Sequence, residues 1–279
     1  MSIQLHMATT GFCNARCGFC VYATPENDRK KGTMPMGLFR KIINEASEIP
    51  SITQIAFSAL GEPLLDPHIV ERVAYVNEKC PHWTLSELYT NGVNLTPQRF
   101  ERLKAAGLDS ISISLNANTA EEHEKRMGLK GKFDQVCANA DYAIAWGEGM
   151  EIRIKAVSTE DDFTKEDVQK FYERWGYVPM GGHGQAVILR NWAGEIQTIE
   201  GGIPDPDACC GRAIGQISVL WDGTVSLCCF DPLAKHNLGD LKSQTIREIY
   251  NAEWYTNFRE DHANNRASKY EICAGCTRV

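Results

Sequence analysis

Between residues 3 and 190 of this 279-residue chain, short runs rich in Ile, Val, Leu and Ser alternate with helical runs. That alternation restricts the fold more than any other feature. The strand candidates are 3–9, 52–58, 84–89, 110–115, 151–157 and 186–190. The helical candidates between them are 36–48, 67–79, 97–106, 133–146 and 165–175. Pro67 and Pro97 suit the first turn of a helix, with Asp66 and Thr96 before them as N-caps, and Gly107 reads as a C-terminal stop. Strands joined through helices build a parallel sheet with right-handed crossovers. Six strands fall short of the eight of a closed barrel, so the expected fold is α/β, an open, partial (β/α)6 TIM-like barrel. Its reactive groups should lie on the loops that follow the strands.

The pattern changes near residue 200, where Gly201-Gly202-Ile203-Pro204-Asp205-Pro206 reads as a linker. Beyond it, apolar runs 216–221 and 224–227 flank Asp222-Gly223, a hairpin signal. A helix is expected over 245–262. The expected organisation is therefore a barrel over 1–200 and a small hairpin-plus-helix unit over 201–279. That second unit has few apolar residues and six of the eleven cysteines, so a bound cluster is expected to hold it together.

Three of the other cysteines stand together in Cys13-Asn14-Ala15-Arg16-Cys17-Gly18-Phe19-Cys20, directly after the first strand. Zinc takes four ligands, usually as two pairs. A C-x3-C-x2-C trio with no fourth ligand nearby fits an iron–sulfur cluster with one open iron. The string resembles the signature of the radical S-adenosylmethionine (SAM) superfamily, including the aromatic Phe19 before the last cysteine. The resemblance implies a [4Fe–4S] cluster whose open iron binds SAM, and reductive release of a 5'-deoxyadenosyl radical. Cys13, Cys17 and Cys20 would be its ligands.

The loops after the other strands fit that resemblance in order. Gly61-Glu62-Pro63 is similar to the family element whose backbone and carboxylate take the SAM amino group. Thr90-Asn91-Gly92 matches a common family turn. Ser114-Leu115-Asn116 stands where the family binds the ribose hydroxyls or the carboxylate. Arg153 and Lys155, two residues apart on one strand face, are the basic candidates for the SAM carboxylate; a solvated charge at the barrel end is the alternative for either. Asn191 and Trp192 follow the sixth strand, whereas His183 precedes it and falls at the opposite end. Arg29-Lys30-Lys31 reads as a solvated loop.

The second cysteine set resembles the SPASM/twitch extension of radical SAM enzymes. Cys210, Cys228, Cys273 and Cys276 would ligate an auxiliary [4Fe–4S] cluster, with Cys209 and Cys229 as alternatives within their adjacent pairs. Three residues after Cys276 leave room only for the shorter twitch form. Zinc would also accept four such thiolates. Cys80 and Cys137 read as core residues.

The resemblance implies hydrogen abstraction from a small molecule followed by electron uptake at the auxiliary cluster, a two-electron dehydrogenation. The alternatives are a redox-neutral epimerase using a thiol hydrogen donor, a peptide-modifying maturase, and a non-catalytic metal scaffold. An external electron donor such as flavodoxin or ferredoxin is implied. A net charge of −7 without a basic block argues against a nucleic-acid polymer as partner. No stretch approaches the ~20 apolar residues of a membrane span. No secretion signal is visible, and cysteine-rich chains without one belong to reducing compartments, so a cytoplasmic location is expected.

Overall fold

The computed structural model describes residues 2–24, 27–158, 163–188, 210–274 and 276. Six parallel strands alternate with helices: β1 (Ile3–Met7), α1 (Met36–Ser47), β2 (Ile52–Phe57), α2 (Ile69–Lys79), β3 (Leu85–Thr90), α3 (Pro97–Ala105) and β4 (Ser110–Ser114). Then come α4 (Ala120–Met127), α5 (Phe133–Trp146), β5 (Glu151–Ser158), α6 (Lys165–Trp175) and β6 (Gly184–Ile188). The rest comprises α7 (Gly211–Gly215), β7 (Gln216–Val219), β8 (Thr224–Ser226), β9 (Asn237–Asp240), α8 (Ile246–Tyr250), α9 (Glu253–Ala263) and α10 (Glu271–Ala274).

One sheet runs in the order β6-β5-β4-β3-β2-β1-β7-β8-β9. The first six strands form the expected partial TIM-like barrel. The strand β7 joins it beside β1, parallel and in register from Gln4↔Gln216 to Met7↔Val219. Among these strands only the β7–β8 and β8–β9 pairings are antiparallel. Asp222-Gly223 makes the β7–β8 turn, with Gly223 at φ +88°.

Alternation along each strand divides the sheet into two faces. Leu5, Met7, Ile55, Phe57, Leu88, Ile111, Ile113, Ile152 and Ile154 point outward and are buried against Phe39, Ile42, Val73, Phe100, Val136 and Phe171 of the helices. Each such burial contributes roughly 1.5–3 kcal/mol. Cys80 and Cys137 belong to this core. The intervening residues, Gln4, His6, Gln54, Glu87, Tyr89, Ser112, Ser114, Arg153 and Lys155, therefore face the lumen and make it polar.

Several expectations need correction. Thr96 does cap α3, accepting from the Arg99 N–H. Asp66 does not cap α2, which starts at Ile69 after His68. Its carboxylate instead accepts from the His68 N–H and pairs with Arg72 inside the core. The helix α4 was not expected: its eight residues are mostly charged, so no apolar period shows, although Thr119 caps it and Gly128 ends it. The expected helix over 245–262 is broken at Asn251-Ala252 into α8 and α9. The short, largely polar β9 adds a third strand to the hairpin. The linker at 201–206 and Arg190 lie outside the described residues. No helix among the described residues is long and apolar enough to cross a membrane.

Candidate cluster and cofactor site

Cys13, Cys17 and Cys20 lie on the loop after β1, at the carboxyl end of the barrel. The loop is braced from both sides. The Cys13 N–H donates to Tyr22 Oη at 2.9 Å, and Tyr22 is flanked by the Arg16 guanidinium and the Lys31 ammonium at 5.3 and 4.8 Å from its ring. Across the loop, the end of α4 forms a seat. The Arg16 and Gly18 N–H groups donate to the Met127 and Arg126 carbonyls at 2.8 and 3.3 Å. Met127 Sδ stands 3.3 Å from Cys17 Sγ. Gly128 follows in the left-handed region, and a Cβ there would meet Arg16 Cβ at 2.9 Å. No motif pointed to Met127; only the Thr119 cap and Gly128 stop would have revealed the helix that presents it.

Burial pushes the Cys13 thiol up to about 11, and the Cys20 sulfur nearby adds to the shift. Cys17 is pushed up by burial and by both neighbouring sulfurs, and Cys20 by burial. Three thiols on one braced loop supply three soft donors and leave a fourth position open, a set that fits the cluster that the spacing implied. Phe19 packs against the core, with the Arg126 guanidinium 5.5 Å from its ring.

The loop after β2 meets this loop edge to edge. Gly61 has φ +109°, and a Cβ there would lie 2.2 Å from the Thr10 carbonyl oxygen. The Glu62 N–H donates to the Phe12 carbonyl at 2.7 Å. The Glu62 carboxylate turns inward and accepts from Thr90 Oγ1 (2.6 Å), Leu64 N–H (3.0 Å) and Asn91 N–H (2.7 Å). Burial raises its pKa against those three donors. It is a strut between the β2 and β3 loops. Asn91 extends the strut, its Nδ2 donating to Asn14 Oδ1 at 2.6 Å. Asn116 (φ +58°) is likewise engaged: Oδ1 accepts from the Val157 N–H at 2.8 Å and Nδ2 approaches Met127 Sδ at 3.0 Å.

The lumen separates Arg153 from Lys155. Arg153 donates to Glu87 at 2.7 Å and pairs with Glu151. Glu87 also accepts from Tyr89 Oη at 2.9 Å and Ser112 Oγ at 3.2 Å. Lys155 stands one rung higher, beside Ser114 and Gln185. Its ammonium lies 4.3 Å from the centre of the Tyr89 ring, and burial holds it down to about 8. His6 bonds to Ser58 Oγ at 2.7 Å, and burial, with Arg212 nearby, holds it down to about 4. His183 lies at the amino end of the sheet, its Nδ1 2.9 Å from the Ile152 carbonyl. Arg29 is tied to Asp222 at 2.8 Å, which joins the cluster loop to the β7–β8 turn. Asn191, Trp192 and Cys209 lie outside the described residues.

A second thiol group lies beyond β8. Cys210, Cys228, Cys273 and Cys276 all border one cavity, walled by Leu227, Phe230, Phe258 and Ile272. Burial raises the Cys228 thiol well above its ordinary value. Among the described residues no three His, Cys, Asp or Glu side chains are grouped to clasp a single metal ion. The four thiols instead surround a space, a donor set that fits a fully ligated cluster. Cys229 is not among the residues bordering this cavity; burial pushes its thiol up to about 11 against the pull of the nearby Arg212 guanidinium. Asp261 secures the segment that carries Cys273, accepting from Arg266 (2.8 Å), Lys269 (3.0 Å) and Tyr270 Oη (2.9 Å).

Comparison with known proteins agrees with this layout. Residues 7–167 match the model of the radical SAM superfamily, and residues 209–277 match that of an iron–sulfur cluster-binding domain. The chain is 23% identical over 268 residues to the S-adenosyl-L-methionine-dependent 2-deoxy-scyllo-inosamine dehydrogenase of Niallia circulans, covering 96% of this chain and 89% of that one. It is 28% identical over 124 residues to a tungsten-containing aldehyde ferredoxin oxidoreductase cofactor-modifying protein of Pyrococcus furiosus, covering 44% of this chain and 33% of that one. The chain thus spans about a third of the length of the first curated relatives that it matches. The crystal structure of BtrN in complex with AdoMet and 2-DOIA superposes with a TM-score of 0.69 at 20% identity, covering 100% of this chain and 94% of that one.

Proposed function

The chain belongs to the radical SAM superfamily, and on that premise we propose that it oxidises a small polar molecule by two electrons. Its cofactors are a SAM-binding [4Fe–4S] cluster, SAM and an auxiliary iron–sulfur cluster. Cys13, Cys17 and Cys20 hold the first; Cys210, Cys228, Cys273 and Cys276 hold the second, taken as [4Fe–4S]. The two units divide at 1–200 and 201–279. What the bound cofactors supply is reductive cleavage of SAM to a hydrogen-abstracting 5'-deoxyadenosyl radical, and an acceptor for the substrate's second electron.

The chain's own residues do the positioning. Tyr22 and Met127 fix the trio's loop, Glu62 and Asn91 fix the backbone turn that meets SAM, and the polar lumen receives the substrate. Lys155 is the basic group left for an anionic partner such as the SAM carboxylate, because Arg153 is committed to Glu87 and Glu151. The observation that carries the reading is the second cavity: four thiols on a unit whose strand pairs directly with β1. The resemblance to the Niallia circulans dehydrogenase over nearly its whole length supports the oxidative outcome. We place the enzyme in the cytoplasm, with a flavodoxin or ferredoxin as donor.

The test is iron and acid-labile sulfide per chain after anaerobic reconstitution. Roughly eight irons should fall to about four in a Cys13/Cys17/Cys20→Ala variant. The Cys273/Cys276→Ala variant should retain about four irons and SAM cleavage. About four irons in the wild type, falling to none without the first trio, would remove the electron acceptor and refute the oxidative reading.

Cys229 lies near enough to Tyr89 of the lumen to add to the upward push on its hydroxyl, and that favours a second reading, a redox-neutral epimerase in which this thiol returns a hydrogen. One solvent deuterium in the product, lost in Cys229→Ala, would select it over dehydrogenation.

A further inference from the structure

His262 projects from α9 into the wall of the auxiliary cavity. It is 1% exposed, with its ring held between Phe258 (centroids 4.4 Å apart) and Tyr270 (6.1 Å, stacked at 16°). Tyr270 is itself fixed by its hydroxyl bond to Asp261 at 2.9 Å. The ring therefore has little freedom to turn, and in this pose Nε2 stands 3.5 Å from Cys273 Sγ. A packing residue would not require a polar ring here; Phe or Leu would fill the space between two aromatic rings equally well.

We infer that His262 is a positioning residue for the auxiliary cluster, its Nε2–H donating a hydrogen bond to the sulfur of Cys273. This rests on the assignment of Cys273 as a cluster ligand. Once Cys273 is a thiolate, its sulfur is an acceptor within reach of the ring nitrogen. A hydrogen bond to a ligating sulfur withdraws electron density and favours the reduced cluster, and such bonds are among the factors that set iron–sulfur potentials. Burial of the ring among aromatic groups excludes water that would compete for the sulfur. His262 thus makes the auxiliary cluster a better electron acceptor than its four thiolates alone would, which is the property that substrate oxidation needs.

The experiment uses the full-length Cys13/Cys17/Cys20→Ala chain, so that the auxiliary cluster is observed alone. His262→Phe keeps the aromatic stack and removes the donor; His262→Gln restores an N–H at similar reach. The expected result is a midpoint potential shifted to more negative values in His262→Phe at unchanged iron content, with the shift reversed at least in part by His262→Gln. An unchanged midpoint in His262→Phe overturns the inference. Pulsed EPR of the reduced cluster with the native histidine in place provides a measurement that does not depend on a variant folding. A weak hyperfine coupling to a histidine nitrogen is expected, and its absence also overturns the inference. A parent chain that retains no iron refutes the ligand assignment itself, a result separable from either of these.

Discussion

Arg72 offers the sharpest test of how the site's loops are held. Its side chain and that of Asp66 are both fully buried, with Nε 2.7 Å from Asp66 Oδ2. The guanidinium also donates to the Met34 carbonyl and lies over the Phe39 ring at 4.8 Å. Met34 ends the segment that runs from the cysteine loop into α1, and Asp66 ends the turn that begins at Gly61. One buried cation thus joins the two loops proposed above to bracket the SAM site. Replacing Arg72 with Met removes it and leaves the Asp66 carboxylate buried with only the His68 N–H as donor, at a cost of about 3–5 kcal/mol. For cooperative unfolding of a chain this size, that corresponds to a Tm lower by roughly 5–9 °C. Asp66→Asn should also destabilise, because it leaves the cation unpaired. The double variant should recover much of the loss, since a buried ion pair contributes little over a neutral pair of similar volume. Thermal melts of the four proteins by circular dichroism complete the cycle. A Tm for Arg72→Met within about 1 °C of wild type, or losses that simply add in the double variant, would refute the argument.

Two further outcomes follow from single positions. Gly61→Ala forces a Cβ toward the Thr10 carbonyl oxygen at a positive φ; the expected loss is roughly 1–3 kcal/mol. SAM affinity, measured by equilibrium dialysis of the reconstituted protein, should fall with iron content unchanged, and unaltered affinity would dissociate this turn from SAM. His6, held near 4 against an ordinary value of 6.5, stays neutral in the folded lumen while the unfolded chain takes up a proton. Its contribution to stability is thus constant above pH 6.5 and is lost as pH falls toward 4. His6→Gln should flatten the decline of Tm over that window, and parallel curves would show that His6 is not the group responsible.

Much of this architecture was legible in the chain because the strand–helix alternation and the cysteine spacings are local signals. The helices 133–146 and 165–175 fall where their apolar periods place them, and Asp222-Gly223 makes its hairpin turn. What could not be read depended on distant partners. Strand alternation put Arg153 and Lys155 on one face, but that Arg153 is committed to Glu87 is decided 66 residues away. Asp66 reads as a cap until Arg72 claims it. The Glu62 carboxylate is held by Thr90 and Asn91, nearly thirty residues on, as well as by Leu64 of its own turn, and its sequence position shows none of this. Adjacent cysteines cannot be ranked by spacing, whereas in the fold Cys228 borders the auxiliary cavity and Cys229 does not.

The pairing of β1 with β7 has a consequence for how the molecule is made. The strand β1 is synthesised before both of its neighbours, and one of them is encoded some two hundred residues later. Until Gln216–Val219 emerges, the backbone groups of β1 on that side have no partner, and a row of unpaired N–H and C=O groups invites pairing with another chain. Contacts so far apart in sequence also form slowly. The auxiliary unit is therefore the piece that completes the barrel's flank during synthesis. A chain cut short of β7 should associate with copies of itself before it has any chance to acquire a cluster.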